Sequence, residues 1–402
     1  MSKIIVIGAG QAGSSLVIKL RALGHKGPIT LVGEEPVPPY QRPPLSKKYM
    51  LGEMAIERLY LRPEAFYADQ NIELLTDVRV DKIDRENRQI MLKTGDVKPY
   101  DLLALTTGST PNRLPAMIGG TLKGVYTVRT LGDADAMASE FVTGRRVLII
   151  GGGYIGLEAA AIAATKGVEV VLVEMADRIL QRVAAPETSD YFRTLHQAHG
   201  VDIREGVGLT RLNGTGRVTS ASLTDGTELK IDFAIVGVGI RPASDLADNA
   251  GLVLDNGIKV DSFGQTSDPA IFAAGDCSSF PYQGGRIRLE SVPNAIEQAE
   301  ATAAAMLGEK TPYSAKPWFW SDQYDVKLQI AGLNTGYNRI VTRKVDAATS
   351  FWYYLDDKLL AVDAMNDPRG YMVGKRLIEA GKSPDPAAVI DPNTDLKTLL
   401  AG

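Results

Sequence analysis

The sequence predicts an α/β protein with two parallel-sheet βαβ domains followed by a C-terminal α+β domain. Three observations predict it. Lys3-Ile-Ile-Val-Ile-Gly8-Ala-Gly10-Gln-Ala12-Gly13 opens the chain, an apolar strand running into G-x-G-x-x-G and an apolar helix. Arg146-Val-Leu-Ile-Ile-Gly151-Gly-Gly153-Tyr154-Ile155-Gly156 repeats that pattern. After Pro312 the texture changes to alternating, aromatic-rich segments with period two, typical of antiparallel strands.

Each glycine-rich turn comes with its full context. The helices close on Gly24 and Gly167, and second strands follow that end in acid, Glu34 and Glu174. The first glycine makes the strand-to-helix turn, the second admits a pyrophosphate against bare backbone, and the third lets helix and strand pack. The diphosphate then sits on the helix N-terminus, where free N–H groups and the helix dipole favour negative charge. The acid accepts ribose hydroxyls. Two such Rossmann-like units imply two dinucleotides, and the obvious use is to pass electrons between them.

At 402 residues the chain is too long for one core. A net charge of -4 gives no basic field for nucleic acid. No apolar run reaches membrane length, and a strand beginning at Lys3 leaves no room for a signal peptide, so a cytoplasmic location is expected. The single cysteine, Cys277, excludes an intramolecular disulfide, a CxxC pair and a four-cysteine metal site. His196 and His199 share a helix face, but surface histidines near a helix end explain them better than a metal. No metal is expected.

Along the chain, Glu35–Lys47 is an extended proline-rich stretch. Strands are expected at Ile72–Leu75, Val78–Ile83, Gln89–Leu92 and Tyr100–Thr106, the last ending in Thr107-Gly108, and a helix over Leu131–Phe141. The second unit runs through a helix at Thr188–His199 to a strand segment, Phe233–Pro242, that contains Gly239. A strand at Ile271–Ala274 stops at Gly275-Asp276, and a helix covers Asn294–Leu307. Strands at Lys327–Ala331, Arg339–Arg343, Phe351–Leu355 and Leu359–Asp363 and a helix near Tyr371–Ala380 complete the chain. The expected division is 1–108 with 242–316, then 109–241, then 317–402.

Arg42-Pro-Pro-Leu-Ser-Lys47, Arg129-Thr-Leu, Gly151-Gly-Gly-Tyr-Ile-Gly-Leu-Glu158, Ile271-Phe-Ala-Ala-Gly-Asp276, Glu290-Ser-Val-Pro-Asn-Ala and Trp318-Phe-Trp-Ser-Asp-Gln together resemble the NADH-dependent ferredoxin reductases of bacterial oxygenase systems, glutathione-reductase-like flavoproteins. The likeness spans essentially the whole chain. It implies FAD on the first fingerprint and NADH on the second. It gives Gly8, Gly10, Ala12, Gly13, Glu34, Arg42, Lys47, Val80, Thr107, Gly108, Arg129, Asp276 and Val292 to FAD. Gly151, Gly153, Tyr154, Ile155, Gly156, Glu158, Glu174 and Gly239 go to the nicotinamide dinucleotide. Lys47, Glu158 and Trp320 are the candidate catalytic residues, with a Lys47–Glu158 ion pair near flavin N5. An acid at Glu174 accepts the ribose 2′-OH and repels a 2′-phosphate, favouring NADH, although Arg178 and Arg182 follow closely.

The implied reaction is hydride transfer from NADH to flavin, then single electrons to a two-iron ferredoxin feeding a haem monooxygenase or Rieske dioxygenase. Without a CxxC, and with Cys277 read as a packing residue, the flavin hands electrons directly to an outside acceptor. Rival readings are a quinone-linked NADH dehydrogenase, an NADH oxidase, and an apoptosis-inducing-factor-like interaction protein. Basic residues Arg62, Arg288 and Lys327 are candidates for docking an acidic ferredoxin.

Overall fold

A computed structural model describes residues 1–401. By its contacts the chain forms two compact units. The first comprises Met1–Gln41, Ala55–Thr110 and Ile240–Pro317. The second comprises Arg42–Met54, Pro111–Gly239 and the chain from Trp318 onward.

In the first unit a five-stranded parallel sheet runs in the order Ile271–Ala273, Leu102–Leu105, Ile4–Ile7, Ile29–Val32, Ile72–Leu75. Its strands are short, nearly continuous apolar runs because both faces are covered. On one face the helices Gln11–Ala22 and Val292–Met306 bury Leu16, Leu20, Ala299 and Ala303 with Ile4, Val6 and Leu31. The crossover order places the C-terminal strand ends, and the glycine turn after Ile7, at one edge of the sheet.

The second unit holds two five-stranded sheets, beside a three-stranded antiparallel one formed by Leu209–Asn213, Ser220–Leu223 and Glu228–Lys230. One is parallel, in the order Asp202–Glu205, Glu169–Glu174, Arg146–Ile150, Phe233–Val236, Val125–Tyr126. The other is antiparallel, in the order Trp318–Gln323, Val326–Gly332, Lys358–Met365, Ala348–Leu355, Arg339–Val345. The helix Pro368–Glu379 covers it, burying Tyr371 and Leu377 against Trp352 and Val362.

Several expectations need correction. Phe233–Pro242 is not one strand: it breaks at Gly237–Gly239 into Phe233–Val236 and Ile240–Pro242, Gly239 taking φ +96°. Pro43–Ser46 is not extended but a single 3₁₀ turn, begun by prolines that need no N–H partner. His196 is no surface residue; it is fully buried.

Candidate functional site

The two glycine turns are built alike. A Cβ at Gly8 would lie 2.3 Å from the Thr106 carbonyl oxygen, and one at Gly151 2.4 Å from that of Gly237. Gly13 and Gly156 press against the carbonyls of Gly8 and Gly151, where a Cβ would lie 2.0 and 2.1 Å away. The middle glycines differ in kind. Gly10 and Gly153 face open space, and each caps a helix without a side-chain partner. Bare backbone N–H groups at a dipole-positive helix end are what a pyrophosphate requires, so both turns fit a dinucleotide.

The acids are not equivalent. Ile7 pairs with Val32 and Ile150 with Val173, so Gly33 holds the position that Glu174 holds in the second sheet, and Glu34 lies one residue beyond. Gly33 is forced there, since a Cβ would meet that of Ala9 at 2.5 Å. The Glu34 side chain is 69% exposed, with Arg79 at 4.0 Å. Glu174 instead turns back: Oε2 accepts from the Gly152 N–H at 2.7 Å and Oε1 from that of Ala176 at 2.8 Å. Arg178 is engaged within the protein, donating to Ser189 Oγ and the Ala184 carbonyl. Arg182 is exposed, near Gly239.

In the first unit, Asp276 follows the turn at Gly275 and accepts from Ser109 Oγ at 2.8 Å. Ala12 is small enough to admit that turn: a Cβ on Gly275 would sit 3.0 Å from its own. Thr107 Oγ1 donates to the Ala243 carbonyl, and Gly108, at φ +71°, accepts from Ala243 N–H. Val80 is buried at the start of a strand, and half-buried Val292 opens a helix capped by Ser291. Cys277 is fully buried, its thiol pushed up by burial against weaker opposing hydrogen bonds from Gly108 and Thr107, with the Leu105 and Ala274 carbonyls also near Sγ. Such a thiol is inert.

In the second unit, Arg42 donates to the Arg129 carbonyl. Lys47 Nζ lies 3.2 Å from Glu158 Oε1, 3.3 Å from Asp322 Oδ2 and 5.9 Å from the Trp320 ring centre. Glu158 is buried and also accepts from Ser46 and Ser321, each at 2.7 Å. Burial pushes its carboxyl up, against the opposing pull of Lys47 and the two hydroxyls. Tyr154 packs against Phe319 with the rings tilted by 42°, and its buried hydroxyl has no hydrogen-bond partner among the described residues. Ile155 is 45% exposed on the first turn of the same helix. Ser46, Ser109, Ser321, Asp322 and Gln323 also belong to these clusters, although none stands out in the sequence by itself. Their signal is position: Ser46 lies within Arg42–Lys47, and Ser321, Asp322 and Gln323 lie within Trp318–Gln323.

Arg288 is corrected as a docking candidate. Its side chain is 11% exposed, paired with Glu290 and donating to the Asp276 carbonyl. Arg62 and Lys327 are exposed. Among the described residues no helix is long and apolar enough to cross a membrane, and no group of three or more His, Cys, Asp or Glu is placed to hold a metal.

The profile of the pyridine nucleotide-disulphide oxidoreductases matches residues 2–299, and that of the reductase C-terminal domain matches residues 318–400. Putidaredoxin reductase of Pseudomonas putida is 41% identical, over 99% of this chain and 96% of its own length. Rhodocoxin reductase of Rhodococcus erythropolis is 40% identical, over 99% and 94%. Putidaredoxin reductase in its covalent complex with putidaredoxin superposes with a TM-score of 0.96 at 40% identity, over 100% of this chain and 98% of that one. The chain therefore belongs to the pyridine nucleotide-disulphide oxidoreductase family, among its ferredoxin reductases.

Proposed function

We propose that this protein is an NADH-dependent ferredoxin reductase, taking a hydride from NADH and delivering electrons singly to a two-iron ferredoxin that serves an oxygenase. The observation that carries it is the pair of matched glycine cradles in a chain whose one thiol is buried and inert. Bound FAD supplies the conversion of an electron pair into single electrons. A disulphide relay within the chain is excluded by composition.

The residues take the following parts in this reading. Gly8, Gly10, Ala12, Gly13 and Glu34 hold the FAD pyrophosphate and ribose, and Asp276, braced by Ser109, meets its hydroxylated chain. Arg42, Val80, Thr107, Gly108, Arg129 and Val292 complete that site. Gly151, Gly153, Tyr154, Ile155, Gly156, Glu174 and Gly239 hold NADH. Lys47 and Glu158 form the charged pair at the hydride site, with Trp320 beside Lys47. The domains divide as 1–108 with 242–316 for FAD, 109–241 for NADH and 317–402 for the C-terminal domain. A cytoplasmic location accords with NADH as donor.

The test is NADH-driven reduction of a panel of purified two-iron ferredoxins by the flavin-loaded protein. Turnover with at least one, and little with quinone or oxygen alone, is expected. Rapid quinone reduction with every ferredoxin inert would refute it.

A further inference from the structure

A buried chain of hydrogen bonds ends on Glu158. Tyr324 Oη lies 3.3 Å from Nδ1 of the buried His196. His196 Nε2 lies 2.8 Å from Gln323 Oε1. Gln323 Nε2 donates to Ser321 Oγ at 3.2 Å, and Ser321 Oγ donates to Glu158 Oε1 at 2.7 Å. An amide oxygen only accepts and an amide nitrogen only donates, so with Gln323 Oε1 toward His196 and Nε2 toward Ser321 the chain runs one way. That arrangement fits the His196 tautomer with its proton on Nε2, Nδ1 then accepting from Tyr324. Ser321 receives a hydrogen bond from Gln323, which leaves its own proton for Glu158. Every donor points toward the carboxylate. His196, Ser321 and Gln323 are fully buried, so no solvent competes for these protons.

We propose that Gln323 and Ser321 are positioning residues that orient this one-way chain and so keep the Glu158 carboxylate ionised against Lys47. The proposal rests on the reading of Lys47 and Glu158 as the hydride-site pair. A neutral Glu158 carries an O–H that must donate, and its oxygens accept less strongly; the two serine hydroxyls and the Lys47 ammonium all offer protons to it, which favours the anion. The charged groups facing Glu158 are Lys47, from the turn after Pro43–Ser46, and Asp322 behind it, on the edge strand of the antiparallel sheet. Desolvation opposes the anion. The chain is therefore one of the few contributions that hold the charge in place.

Replacing Gln323 by glutamate inverts the polarity at almost constant shape. A carboxylate at 323 accepts from both neighbours, which turns the Ser321 proton away from Glu158. Ser321→Ala removes the last link with little perturbation of packing. Two readouts on the flavin-loaded protein test the idea: the pH profile of NADH-to-flavin hydride transfer, and the titration of the Glu158 carboxyl by infrared difference spectroscopy, assigned with Glu158→Gln. Both variants are expected to raise the Glu158 titration, and with it the pH profile, by about one unit or more. Ser321→Thr, which keeps the hydroxyl, is expected to restore the wild-type value. A merely structural contact would lower stability without moving that titration. Unchanged titration in both variants, with Glu158→Gln slow, overturns the chain. A normal hydride rate in Glu158→Gln overturns the hydride-site reading beneath it.

Discussion

Gly152 donates its backbone N–H to Glu174 Oε2 at 2.7 Å, so the acid that ends the second strand also fastens the second glycine turn. In the proposed reading Glu174 has two tasks, presenting negative charge to a ribose 2′-OH and fixing the glycine turn. Glu174→Ala is expected to lower kcat/KM for NADH about tenfold, through the lost charge-assisted hydrogen bond. NADPH should lose less, because repulsion of its phosphate disappears as well. Stopped-flow flavin reduction with both nucleotides measures the gap. A preference for NADH undiminished by the substitution would reject the assignment.

Cys277 Sγ lies 3.5 and 3.4 Å from the Leu105 and Ala274 carbonyls, with Thr107 and Gly108 also beside it, and burial pushes its thiol up. Cys277→Ser is expected to keep near-wild-type ferredoxin reduction and to lose about 1 kcal/mol of stability. Flavin content, melting temperature and turnover check this. Lost electron transfer in a folded, fully flavinated variant would restore a thiol mechanism.

Docking of an acidic ferredoxin must rely on local charge, since the chain's net charge is -4. Arg62 and Lys327 are exposed, whereas Arg288 is held by Glu290. Charge reversal at Arg62 or Lys327 is expected to slow ferredoxin association several-fold at low salt, with the difference fading as salt rises. Hydride transfer from NADH should be unaffected. Salt-independent association would place the docking face elsewhere.

The glycines, the strands around them and the helix ends were legible because each is a local demand: a positive φ, a missing Cβ, a period of two or 3.6. Gly24 and Gly167 do close their helices, at φ +88° and +73°. The offset between Glu34 and Glu174 was not legible. It depends on how far each second strand slides along the first, and the linking loops differ. The burial of His196 was hidden for a different reason. Its covering partners, Gln323 and Tyr324, lie 127 and 128 residues away, so no helical periodicity announces them. Ser46 and Ser321 are small and polar, and such residues signal nothing until the fold brings a carboxylate between them.

Two buried ionisable groups lie between the helix Pro186–Ala198 and the antiparallel sheet, and their pH effects oppose each other. Asp363 accepts from Thr188 Oγ1 at 2.7 Å and from Tyr353, and burial pushes its carboxyl up to about 6. The native protein then keeps a proton that the unfolded chain releases from about pH 4 upward, so this group's contribution falls as pH rises from about 4 to 6. Burial pushes His196 down to about 4, ahead of the weaker opposing hydrogen bond to Gln323. Here the unfolded chain takes up a proton below about pH 6.5 that the native protein refuses. That contribution therefore rises with pH from about 4 to 6.5. Each amounts to about 3 kcal/mol across its window, so the two nearly cancel. Asp363→Asn is expected to steepen the rise of stability with pH between 4.5 and 6.5, because His196 then acts alone. His196→Gln should do the reverse and flatten or invert it. Melting temperatures followed by circular dichroism across that range compare the three proteins. Equal pH slopes in all three would show that neither group titrates differently in the folded and unfolded chains.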